Sequence, residues 1–75
     1  MEWRIIEIAA QAIRIPTKVA ETHFKKIENM DAYYFWSPGR GGLAVIVSSD
    51  GEKLAATSAV NYEKHLKAFL DGKRN

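Results

Sequence analysis

Eight polar residues in the first thirty positions, Arg4, Glu7, Gln11, Arg14, Lys18, Glu21, Lys25 and Glu28, are spaced three and four apart in strict alternation. An α-helix gathers such residues into one solvent-facing stripe, whereas a strand of period two scatters them over both faces. Glu21 and Lys25 also form an i,i+4 pair in the favoured order. Opposite the stripe lie Ile5, Ile6, Ile8, Ala9, Ala12 and Ile13, followed by Val19, Ala20, His23, Phe24 and Ile27. Pro16 interrupts the pattern, because it lacks a backbone donor and pushes Ile15 toward extended geometry. The spacing therefore predicts two helices, about 3–14 and 17–29, that share a polar face and break at Ile15-Pro16. A single kinked helix is the alternative, and the isoleucine-rich first segment is also compatible with a strand.

The middle of the chain changes character. Tyr33-Tyr34-Phe35-Trp36 is a run of aromatics, and Leu43–Ser48 is apolar and β-branched; both compositions suit strands. Pro38-Gly39-Arg40-Gly41-Gly42 between them reads as a loop. Asp50-Gly51 is a hairpin signal, with Lys53–Thr57 as the return strand. If Asp50-Gly51 is a two-residue turn, Val47 faces Leu54 and Val45 faces Ala56. The core face then holds Leu43, Val45, Val47, Leu54, Ala56, Tyr33 and Phe35, with Phe35 beside Val45 and Tyr33 beside Val47. Tyr34, Trp36, Ala44, Ile46 and Thr57 fall on the other face. A last helix follows from the spacing of Tyr62, His65, Leu66, Phe69 and Leu70, with Asn61 or Ser58 as cap and Gly72 just past its end. The expected fold is α+β: one domain over residues 1–75 in the order α-α-β-β-β-α, a three-stranded antiparallel meander with two N-terminal helices and one C-terminal helix.

Composition narrows the functions open to such a chain. At 75 residues it can hide only about 60% of its unfolded surface, so one modest core is all it can build. Hydrophobic residues at 47% and charged residues at 27% argue against disorder. Cysteine is absent, which removes disulfides and thiolate metal sites and permits a cytoplasmic setting. No apolar run approaches membrane-spanning length, and the first residues lack the apolar stretch of a signal peptide, so no membrane association is expected.

The second sheet face is the most informative feature for function. Tyr34, Trp36 and Ile46 there are either further core beneath a helix or a binding face, since Trp and Tyr are common interface anchors. The glycine loop adds Arg40 at the rim of that face. A phosphate-cradling loop normally opens a helix and carries a Lys-Ser/Thr pair; here a strand follows and the pair is missing. Aromatics on an open sheet with an arginine at its edge are also the parts of a base-stacking platform. The order α-β-β-β-α resembles that of the double-stranded-RNA-binding domain. Where that family has a lysine cluster opening its last helix, this chain reads Asn61-Tyr62-Glu63-Lys64-His65, and a net charge of +2 supplies little phosphate attraction. No residue pattern identifies the chain with a family.

Catalytic parts are not assembled in the sequence. Ser48, Ser49 and Ser58 fall at hairpin and cap positions, and Asp50 belongs to its turn. His23 and His65 are read as partly buried core histidines that could approach each other if both their helices pack on one sheet face. No His-x3-His or His/carboxylate cluster offers a metal site. A sheet this small is expected to lack a pocket of about 300 Å³. The resulting expectation is a small non-enzymatic domain without cofactor or metal. It would bind another protein or a second copy of itself, as a homodimer, through Tyr34, Trp36, Ile46 and Arg40. Nucleic-acid binding through the same surface is the alternative.

Overall fold

In the computed structural model, which describes residues 1–39, 42–57 and 59–75, the chain runs α1 (Trp3–Ile13), α2 (Thr17–Ala20), β1 (Phe24–Lys26), β2 (Ala32–Trp36), β3 (Leu43–Ser48), β4 (Lys53–Thr57) and α3 (Tyr62–Leu70). The class is α+β, as expected. The described residues form a four-stranded antiparallel sheet in the order β1-β2-β3-β4 rather than the three strands expected.

The polar stripe correctly marks α1. Ile5, Ile6, Ala9, Ala10 and Ile13 are buried, while Arg4, Glu7, Gln11 and Arg14 face solvent. The helix stops where Arg14 enters the left-handed region at φ 59°. The Ile15 N–H then closes back on the Ala10 carbonyl at 3.0 Å, and Pro16 prevents continuation.

The second helix is shorter than its spacing implies. It ends at Ala20, and residues expected to be helical form the edge strand β1 instead. Phe24 and Ile27 explain why. On a helix, residues three apart share a stripe. Here Phe24 belongs to the cluster under α1, whereas Ile27 is buried in the cluster under α3. Phe24 stacks on Phe35 with ring centroids 5.5 Å apart, and pairing with β2 outweighs the local helical pattern. Asn29, at φ 64°, makes the turn into β2.

Between β2 and β3 the expected register is present, with Tyr33 opposite Val47 and Phe35 opposite Val45. Between β3 and β4 the expected register is off by one residue: Ile46 faces Leu54 and Val45 faces Ala55. The hairpin has a three-residue loop, Ser49-Asp50-Gly51, closed by Ser48 N–H to Glu52 O at 2.8 Å with Gly51 at φ 94°. Asp50 Oδ1 accepts the Glu52 N–H at 3.2 Å and also the Ser48 hydroxyl. The extra residue moves Leu54 and Ala56 to the Ile46 face and Ala55 to the Val45 face.

The sheet is thus the middle of three layers. On one face α1 and Ala20 of α2 cover Phe35, Val45 and Val47. On the other, Phe69 and Leu66 of α3 cover Ile27, Ala32, Ile46 and Leu54. Asn61 caps α3 by accepting the Lys64 N–H at 2.8 Å; Ser58, the other expected cap, lies outside the described residues. Gly72, at φ 94°, ends α3 with Lys73 N–H bonded to Ala68 O at 3.1 Å. Asn75 then docks on the outer edge of β4, exchanging side-chain hydrogen bonds with Ala55 N–H (2.9 Å) and Ala55 O (3.0 Å).

Candidate binding surface

The antiparallel registers lay out the α3-facing side of the sheet in rows. One row is Lys25, Tyr34, Ile46 and Leu54; the next is His23, Trp36, Ala44 and Ala56. α3 begins above the first row. Ile46 is fully buried there and packs with Phe69, so it is a core residue and not the surface anchor expected from the sequence. The reason is that α3 lies over the β3–β4 half of this face. Tyr34 and Trp36, nearer the β1 edge, are only half-buried. Arg40, the fourth expected site residue, lies outside the described residues.

Tyr34 is the hub of this region. Its ring meets Tyr62 edge-to-face at 4.8 Å and His65 at 5.7 Å, and it lies in a tilted stack with Trp36 at 6.1 Å. Burial, and secondarily the neighbouring Tyr62, push the Tyr34 hydroxyl above its ordinary value of 10.0, so it remains a neutral donor and acceptor at physiological pH. Trp36 meets His23 edge-to-face at 6.0 Å. His23 is oriented by its Nδ1, which lies 3.0 Å from Val19 O and 2.9 Å from Thr22 Oγ1. Lys25 completes the cluster, with its ammonium 3.8 Å above the centre of the Tyr62 ring.

Beside this strip lies an open groove of about 410 Å³ between β1 and α3, lined by Lys25, Lys26, Ile27, Glu28, Tyr62 and Leu66. The expectation that so small a sheet leaves no such space is corrected: residues of the edge strand and of α3 line an open groove rather than a closed cavity. His65 is buried under the same helix. Its Nε2 lies 2.6 Å from the Leu54 carbonyl, which only accepts, so Nε2 carries the proton. The buried Nδ1 has no partner among the described residues. The two histidines do not share a layer of helices, because His23 precedes β1 rather than lying on a helix, and they engage Trp36 and Tyr34 separately.

Among the described residues no group of three or more His, Asp or Glu side chains converges as metal ligands would, and no helix is long and apolar enough to cross a membrane. Three contributors to the strip were not named as site residues from the sequence. The helical spacing of the sequence claims Lys25 and His23, and Tyr62 there only opens an apolar stripe. Trp3 and Leu70, at 50% and 63% exposure, are large apolar side chains open to solvent elsewhere on the surface. No family model matches the chain, and neither a curated protein nor a solved structure is significantly similar to it.

Proposed function

We propose that this chain is a non-enzymatic protein-binding domain whose contact surface is the Tyr34–Trp36 strip with the adjoining groove. The observation that carries the reading is that two large aromatics, Tyr34 and Trp36, lie in a tilted pair and only half-buried, and that Tyr34 packs on Tyr62, which lines an open groove. Tyr and Trp contribute most of the energy in many interfaces, because they bury large area at low entropic cost. Tyr62, His23 and Lys25 hold the strip in place before any partner arrives, which lowers the ordering cost of binding.

A different polypeptide suits this surface better than a second copy. Two copies meeting edge-to-edge at β1 would set Lys25 or Lys26 opposite its own counterpart with the other lysine close by, and like charges on paired strands repel. Nucleic acid suits it less well, since Glu28 lines the same groove and the net charge is only +2. The reading includes a cytoplasmic setting, on the ground that a cysteine-free chain draws no benefit from an oxidising compartment.

The test is selection of binders from a displayed library of natural peptide segments, followed by titration into the labelled protein. The expected result is a shift of the Trp36 indole resonance on binding and loss of binding in Trp36→Ser. Binders that leave the indole unmoved would overturn the reading. Light scattering across a concentration range and titration with mixed oligonucleotides at low salt discriminate the homodimer and the nucleic acid.

A further inference from the structure

The two edges of the sheet are treated differently by the chain. At β4 the Asn75 side chain occupies the outer edge, bonding Ala55 N–H and Ala55 O as a neighbouring strand would. At β1 nothing among the described residues does so. The β1–β2 register, with Trp36 N–H on His23 O and Ile27 N–H on Ala32 O, turns the backbone groups of Lys25 inward to Tyr34. The N–H and C=O groups of Phe24 and Lys26 therefore point outward. Such groups are a template for one more strand.

We propose that the outer edge of β1 docks an extended, acidic segment of a partner protein, which adds to the sheet as a fifth strand; the proposal rests on the protein-binding reading above. Charge complementarity selects the occupant. The strand carries Lys25 and Lys26, and neither has a carboxylate partner: the ion pairs of the described residues are Lys67–Asp71 and Arg74–Glu52. Lys25 lies on the α3 side over Tyr62, and Lys26, on the opposite side, donates to Met30 O at 2.9 Å. Register then dictates a pattern. Side chains opposite Phe24 and Ile27 meet apolar neighbours, and those opposite Lys25 and Lys26 meet ammonium groups. The occupant reads apolar, acidic, acidic, apolar. The same lysines that repel a second copy of β1 thus attract this segment.

The test uses the full chain with two synthetic peptides, one carrying two consecutive glutamates flanked by valines and the other with lysines in place of the glutamates. Amide hydrogen exchange is followed residue by residue. The glutamate peptide is expected to slow exchange at Phe24 and Lys26, with a preference of about tenfold over the lysine peptide, as replacing two attractive cross-strand pairs with two repulsive ones gives. Lys25→Glu with Lys26→Glu should reverse the preference. Lys26→Pro, which removes an outward N–H and leaves the ladder to β2 intact, should abolish the protection at the remaining reporter, Phe24, while the far-ultraviolet dichroism stays unchanged. Equal protection by both peptides, or none at these amides, overturns the proposal and leaves the lysines as guards against aggregation. A peptide that shifts the Trp36 indole without protecting Phe24 and Lys26 overturns the edge but keeps the strip. Silence at both sites rejects both readings for such segments, and displacement of the glutamate peptide by oligothymidylate would assign the edge to nucleic acid.

Discussion

The Lys25 ammonium lies 3.8 Å above the centre of the Tyr62 ring, joining the edge strand to the first turn of α3 across the mouth of the groove. A cation over an aromatic face at a partly exposed site contributes about 0.5–1 kcal/mol. Tyr62 also packs edge-to-face on Tyr34 at 4.8 Å, a contact worth a further ~0.5–1.5 kcal/mol beyond area burial. A double-mutant cycle of Lys25→Gln and Tyr62→Leu in urea should therefore return a coupling near 0.5 kcal/mol, with Tyr62→Leu alone the more damaging change. A coupling indistinguishable from zero would mean that the lysine lies over the ring without stabilising it.

Phe35 and Trp36 are adjacent in sequence and differ in fate. Phe35 is fully buried in the α1 layer, while Trp36 is half-buried on the other face. Phe35→Ala should cost about 3–5 kcal/mol, a large part of the stability of a domain this size. Trp36→Ala should cost less, about 1–3 kcal/mol, because the ring is only partly buried in the folded state. Thermal melts of the two variants decide the matter. Comparable losses would place Trp36 in the core and remove the basis of the proposed surface.

Where neighbouring residues determine conformation, the fold is legible in the sequence. α1 and α3 follow from apolar spacing, with Pro16 stopping the first and Asn61 and Gly72 bounding the second, and the β2–β3 register follows from the length of the glycine loop between the strands. What was not legible depended on partners distant in sequence. Glu21, Lys25 and Glu28 are exposed whether they lie on a helix, a loop or an edge strand, so their spacing could not distinguish these. Only contact with Phe35 on one face and Phe69 on the other separates Phe24 from Ile27. The β4 slip came from reading Asp50-Gly51 as the whole turn, when the Asp50 carboxylate draws Ser48 and Glu52 together around a three-residue loop. Of the expected site, Tyr34 and Trp36 are half-buried, Ile46 is sealed by α3, and Arg40 lies outside the described residues; Lys25, which the sequence does not mark as a site residue, is masked by the helical spacing.

The same turn carries a pH dependence. The Ser48 hydroxyl, and after it the Glu52 N–H, hold the Asp50 carboxyl below its ordinary value of 3.8. A carboxyl whose folded value is depressed contributes stability that is fully present above its unfolded value and is lost as pH falls through the folded one. Asp50 is at the surface, so the contribution is small, and the window lies below pH 3.8. The side-chain carboxyl resonance of Asp50 should titrate below the ordinary carboxyl value of 3.8, and Ser48→Ala should move it back up. An Asp50 midpoint unchanged by Ser48→Ala would assign the depression to the backbone donors alone.

His65 offers a sharper test of what lies under α3. Its Nε2 bonds the Leu54 carbonyl at 2.6 Å, and its buried Nδ1 goes without a partner. One hydrogen bond contributes about 0.5–1.5 kcal/mol, and a buried polar atom left unpaired costs a similar amount or more. His65→Leu removes both while filling most of the space, so its stability should stay within about 1 kcal/mol of the parent. His65→Ala also empties the contact with Tyr34 and should lose roughly 2–4 kcal/mol, the range of a large side chain truncated in a core. Chemical denaturation of the pair separates packing from polarity at this position. If the leucine variant falls as far as the alanine one, the bond to Leu54 holds α3 on the sheet, and the unpaired Nδ1 is a tolerated by-product of making it.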